Sequence, residues 1–200
     1  LLMINKEIEG SVFLQPNSQL FGAELPGPGA ISASSYTYSF IVPAWHAPEG
    51  SGLIYGLGAA AGVVMLLALF PKLCLDVVDV DERLIAMTRH YFPLVADYEK
   101  QGRLAIINDD AMHYKVSEDY DFIITDIYQG DECFDLNLSL FISHCEKHKN
   151  VWSNLISTHS QNHLSRMQAQ VQHDLGQEII VFPVEKFDQN YSMNWLLTSQ

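Results

Sequence analysis

The sequence predicts an α/β fold. The main body reads as a Rossmann-like, doubly wound sheet, mostly parallel with an antiparallel final strand, preceded by a short β or irregular extension. Three observations carry this. From Gly52 onward, short apolar β-branched runs alternate with helix-length segments, as in a parallel sheet covered on both faces. The last two such runs leave only Glu185 to Gln189 between them, too short for a parallel crossover, so they are expected to pair antiparallel. The stretch from Pro16 to Pro48 differs from the rest: Pro16, Pro26, Pro28, Pro43 and Pro48 punctuate short β-prone pieces such as Ser35 to Val42. Residues 1–50 therefore read as the extension and residues 51–200 as the main domain.

The elements follow in order. Leu53-Ile54-Tyr55 is a short strand ending at Gly56, and Gly62 to Phe70 is a buried helix stopped by Pro71. Leu73 to Val80 is the second strand. Asp81 to Phe92 is a helix with Asp81 as N-cap and Pro93 at its end. Leu104 to Ile107 and Tyr120 to Ile127 are the third and fourth strands, and Asn108-Asp109-Asp110 between them could also supply the N-cap of a short helix over Ala111 to Tyr114. Phe134 to Lys147 is helical, Val151 to Ser157 is the fifth strand and His163 to Leu175 a helix. Glu178 to Val184 and Asn190 to Thr198 close the sheet. Right-handed crossovers make such a sheet doubly wound, and its antiparallel end is the layout of class I methyltransferases.

Composition excludes several classes. The 200 residues are 48% hydrophobic and 18% charged, enough to bury a core. Lys plus Arg is 11 against Asp plus Glu 24, a formal charge of -13, which leaves no basic face for nucleic-acid phosphates and suits small or cationic ligands. Cys74, Cys133 and Cys145 are odd in number and form no CxxC pair, so neither a disulfide framework nor a metal site is expected, and a cytoplasmic location is. Leu1 to Gly10 has the charges Lys6, Glu7 and Glu9 and no signal-peptide core. Leu53 to Phe70 is uncharged and reaches about the minimum for a membrane span, with Gly58 and Gly62 as a GxxxG pair. It divides into strand, glycine turn and helix, so no membrane role is read from it. His144 and His148, like His159 and His163, are one helical turn apart; without a third ligand they read as exposed helix faces. Trp152 and Trp195 read as core.

Ligands of such sheets bind at the carboxyl ends of the strands. After the first strand comes Gly56-Leu57-Gly58-Ala59-Ala60-Ala61-Gly62, where Gly56 and Gly58 would allow close approach of a ligand and Gly62 would let the helix pack on the sheet. After the second comes Asp79, able to accept both ribose hydroxyls of a nucleoside. At this point NAD and S-adenosylmethionine are both allowed. After the third come Asn108, Asp109 and Asp110, where a carboxylate or amide can meet an adenine amino group. After the fourth comes Asp126, which would look over the reacting end of the ligand, with Tyr128 as an orienting hydroxyl. A simple nicotinamide site does not call for these last acids.

From Leu53 to about Glu132 the chain resembles the spermidine/spermine synthase family of aminopropyltransferases. The resemblance rests on Val78-Asp79-Val80-Asp81-Glu82, Arg89-His90-Tyr91-Phe92-Pro93, Ile106-Ile107-Asn108-Asp109-Asp110-Ala111 and Tyr120-Asp121-Phe122-Ile123-Ile124-Thr125-Asp126. It implies that Asp79 holds the ribose, Asp109 the adenine, and that Asp126 is the catalytic acid beside the attacking amine. It also implies decarboxylated S-adenosylmethionine as donor, a small cationic amine as acceptor, and a homodimer. The chain departs from the family at Ala59 and Gln129, where the family has acids, in the short segment Gln129 to Phe134, and in the reduced extension. Tyr36 and Tyr38 could reach over the site from that extension, or form a cross-strand aromatic pair. The readings carried forward are an aminopropyltransferase, an S-adenosylmethionine-dependent methyltransferase and a catalytically silent binding protein on the same fold. An NAD-dependent oxidoreductase has only Gly56, Gly58, Ala61 and Asp79 behind it.

Overall fold

In a strand buried on both faces every side chain must be apolar, and Ile54, Val77, Val78, Ile123 and Ile124 are all buried. The computed structural model describes residues 13–15, 19–20, 23–24, 30–32, 35–116, 119–127, 133–157, 161–186 and 193–199. Short strands β1 (Phe13–Gln15) and β4 (Ala30–Ser32) pair antiparallel, as do β2 (Gln19–Leu20) and β3 (Ala23–Glu24). A 3-10 helix (Ser35–Phe40) runs into α1 (Ile41–His46). The main sheet follows: β5 (Ser51–Tyr55), α2 (Ala61–Leu69), β6 (Cys74–Asp79), α3 (Glu82–Tyr91), α4 (Pro93–Lys100), β7 (Leu104–Asn108), β8 (Phe122–Thr125), α5 (Cys133–Cys145), β9 (Val151–Ser157), α6 (Gln161–Leu175), β10 (Ile179–Lys186) and β11 (Met193–Ser199).

The strand order is β10-β11-β9-β8-β5-β6-β7. The five strands from β9 to β7 run parallel, and β11 lies antiparallel between β9 and β10. The chain enters the main sheet at β5 and winds outward in both directions, so the crevice where its direction reverses lies beyond the carboxyl ends of β5 and β8. One apolar layer, with Val64, Leu67, Ile85 and Val95, packs on one face; the other, with Phe141, Cys145 and Val171, packs on the opposite face. The uncharged run Leu53 to Phe70 is divided between β5 and the nine-residue α2. Among the described residues no helix is long and apolar enough to cross a membrane.

Three elements differ from the sequence reading. Ser35 to Val42, expected as β, is helical, because Phe40 and Ala44 are buried against α2 and the core outweighs the β-propensity of Tyr36, Thr37 and Tyr38. Pro93 does not merely end α3: it opens α4, where a missing N–H costs nothing. Ala111 to Tyr114 forms a turn and no helix; Tyr114 packs instead against the second layer, its ring 6.3 Å from that of Tyr55.

His144 is also corrected. It is only 8% exposed and stacks on Tyr55, ring centroids 5.2 Å apart, so this is no solvent-facing histidine. Burial, then the neighbouring His148 and Lys147 charges, lower its pKa to about 4. An unfolded histidine titrates near 6.5, so between these values the unfolded chain binds the extra proton. His144 thus contributes stability that is complete above about pH 6.5 and is lost as pH falls toward 4. Urea titrations across pH 4 to 7 are expected to show wild type losing up to about 3 kcal/mol relative to His144→Gln over this window. An unchanged difference between the two proteins would show that His144 is not held neutral.

Candidate functional site

Side chains alternate along a strand, so Ile124 and Asp126, Val77 and Asp79, and Trp152 and Asn154 share the face that α2 covers. At the ends of β6, β7 and β8 the periodicity continues past the buried residues, so polar groups emerge there: Asp79 from β6, Asn108 from β7 and Asp126 after β8. Asn154 lies buried within β9, one step beyond the Thr125↔Ser153 pair.

Hydrogen bonds to neighbouring elements fix the glycine turn between β5 and α2. Gly56 N–H donates to the Val78 carbonyl at 2.9 Å, and Asp126 N–H to the Tyr55 carbonyl at 2.8 Å. The Asp79 carboxylate accepts from Leu57 N–H at 2.8 Å through one oxygen and from Asp81 N–H at 2.9 Å through the other. The buried Thr88 hydroxyl of α3 donates to the Gly58 carbonyl at 3.3 Å. Asp79 thus ties the turn to the end of its own strand, a role not read from the sequence, and its carboxylate keeps lone pairs for a further donor.

Each glycine of the turn has its own surroundings. At Gly56 (φ +99°) a Cβ would lie 2.2 Å from the Asp126 carbonyl oxygen, so the residue is dictated by the close passage of the two strand ends. Gly58 (φ +50°) has nothing within 4 Å of its Cβ position and faces open space. At Gly62 a Cβ would lie 3.0 Å from the Phe40 ring, so the glycine admits the N-terminal helical segment.

Asn108 donates to the Asp79 and Val80 carbonyls at 3.0 and 3.1 Å, and Asp109 N–H to the Asp79 carbonyl at 3.2 Å, which draws the β7 exit against the β6 exit. Asp109 is exposed, its carboxylate accepting from Asp110 N–H at 2.8 Å. Asp110 is engaged by its own turn: its carboxylate accepts from Met112 N–H and meets His113 Nδ1, both at 2.9 Å. These bonds hold its pKa below the usual carboxylate value, the backbone bond most of all. Asp81 caps α3 as expected, accepting from Arg83 and Leu84 N–H, and its pKa is lowered chiefly by the Leu84 bond. Val80 and Met112, exposed at 64% and 51%, flank these acids with bare apolar side chains.

Asp126 is half-buried. Its Oδ1 accepts a 2.6 Å bond from Nδ2 of Asn154, itself 3% exposed. One residue later, buried Asn137 of α5 clamps Ile127, its Oδ1 accepting from the N–H at 2.9 Å and its Nδ2 donating to the carbonyl at 2.7 Å. Sequence reasoning missed both asparagines; the available signal was an amide inside an otherwise buried strand or helix face. Tyr128, Gln129 and His159 lie outside the described residues, as do the side chains of Tyr36, His163 and Trp195. Tyr38 packs against the first core layer.

No family model and no curated protein matches the sequence. Solved structures do match the fold. The methyltransferase domain of bacterial CtHen1 aligns with a TM-score of 0.61 at 10% identity, over 82% of this chain and 97% of that one. A probable spermidine synthase from Corynebacterium glutamicum gives 0.60 at 16% identity, over 88% and 70%. Human methyltransferase-like protein 13, in complex with SAH, gives 0.55 at 14% identity, over 84% and 83%. The fold is the Rossmann-like fold of the class I methyltransferases.

Gly56 and Gly58 separate two kinds of glycine requirement. Gly56→Ala meets a backbone oxygen and an unfavourable φ, and is expected to destabilise the fold by ~3 kcal/mol or more. Gly58→Ala carries only the left-handed strain, ~1 kcal/mol. Thermal melts of the two variants check this; similar melting points would refute the packing of Gly56 on Asp126.

Proposed function

We propose that this chain binds S-adenosylmethionine across the carboxyl ends of β5, β6 and β7 and transfers its methyl group to a small amine. The observation that carries the reading is the Asp79 carboxylate, anchored between the glycine turn and the β6 end, with exposed Val80 next in the chain and exposed Met112 in the turn after β7. These groups suit an adenosine: a carboxylate for the ribose hydroxyls, apolar side chains for the two faces of the base, and Asp109 for its amino group. Asp110, partly occupied by its own turn, stands beside Asp109 as a further acceptor. The open space at Gly58 leaves room for the remainder of the ligand along the turn.

When bound, the sulfonium supplies an electrophilic carbon. The chain's part is to place an amine in line with that carbon and to offset the repulsion between two cationic groups. Asp126 stands at the next strand end and would accept the amine's proton before attack. The neighbouring methyltransferase structures support methyl transfer over the aminopropyl transfer that the sequence motifs imply. One of those motifs also has a structural explanation, since Phe92 is buried and Pro93 opens α4. Aminopropyl transfer stays as the second reading on the strength of the spermidine synthase likeness.

A thermal-shift panel tests the reading. S-adenosylmethionine or its homocysteine product at a hundred times its dissociation constant is expected to stabilise the fold by ~2.7 kcal/mol. Asp79→Asn is expected to weaken binding about tenfold or more, the value of a bond to a charged group. Asp126→Asn is expected to keep binding and to cut transfer by ~10². A response confined to the decarboxylated donor and methylthioadenosine would favour aminopropyl transfer. No response to any of the four would overturn the proposal.

A further inference from the structure

We infer that Asn154 is a positioning residue for Asp126, setting its carboxylate toward the amine acceptor; the inference rests on the reading that Asp126 faces the reacting centre. The register Thr125↔Ser153 places Asp126 and Asn154 one step further along the same parallel pair, on the same face as Ile124 and Trp152. At 2.6 Å their contact is a short charge-assisted bond. An amide this deeply buried in a strand costs stability unless bonded, and the apolar neighbours Val151, Trp152 and Leu155 show what the position would otherwise take.

The chemistry of the donor matters. A lysine or arginine here would neutralise the carboxylate, whereas an amide orients it and leaves the negative charge for a cationic amine. Asn137 fixes the other side by clamping the Ile127 backbone. Its carbonyl also lies within reach of the Thr125 and Ser153 hydroxyls, which are bonded to each other at 2.7 Å. The acid is thus anchored through its side chain from β9, and the residue after it is anchored through its backbone from α5.

The test uses the full chain with 13C-labelled aspartate, the Asp126 signal being assigned by its loss in Asp126→Asn. In Asn154→Leu the carboxyl signal is expected to titrate at higher pH than in wild type, by about half a unit or more, because the charged form loses its donor. Asn154→Ser, which keeps a hydroxyl donor in a smaller side chain, is expected to recover part of the change and serves in its place should the leucine variant not fold. In the transfer assay with S-adenosylmethionine and an amine, Asn154→Leu is expected to lower kcat at least about tenfold, the lower end for a displaced acid/base group, with KM for the donor within about twofold. An unmoved carboxyl titration in the folded variants would overturn the inference. A moved titration without transfer by wild type would leave the pairing standing and overturn the methyltransferase reading instead.

Discussion

The edge of this sheet is organised by one carboxylate. Asp79 takes a backbone N–H from the turn after β5 through one oxygen and one from its own strand exit through the other. A glycine-rich turn has little side-chain packing to hold it, so its shape must come from its neighbours. Asp79, Thr88 and the Val78 carbonyl supply that shape. The same carboxylate is the natural partner for ribose hydroxyls. Shaping the turn and receiving a ligand are then two uses of one group, and a change at Asp79 disturbs both.

The second constraint is proximity. The β5 and β8 exits run so close that the Asp126 carbonyl occupies the space where Gly56 would carry a side chain. Asp126 is therefore placed by backbone packing before any side-chain interaction acts on it. Buried amides then complete the arrangement, Asn154 on the carboxylate and Asn137 on the following peptide. In a low-dielectric edge of this kind polar networks have to be satisfied throughout, and these are.

The parallel strands were readable because they are the least ambiguous local pattern: β-branched runs between turn residues, as in Val77-Val78 or Ile123-Ile124. The acids were readable for the same reason, since each directly follows such a run. The misreadings share one cause, long-range packing that leaves a weak local trace. Tyr36-Thr37-Tyr38 looks like a strand until Phe40 finds Gly62. Pro93 stops one helix and starts the next, a double role that Val95 and Tyr98, three apart and both buried, could have disclosed. His144 lies on a helix of mixed pattern, and only the position of Tyr55 makes its face interior. Asn154 carried no signal beyond its own polarity.

The placement of β11 has a consequence for assembly. β10 precedes β11 in the chain yet has β11 as its sheet neighbour, and β11 in turn needs β9. During synthesis the apolar stretch Ile179-Ile180-Val181-Phe182 therefore emerges before the strand that will receive it, with its backbone groups open to pairing with another chain. Pro183, at the point where the β10–β11 register shifts, interrupts that stretch with a residue that cannot extend a foreign ladder. Until β11 emerges, a proline at the end of this stretch offers no N–H to a foreign strand.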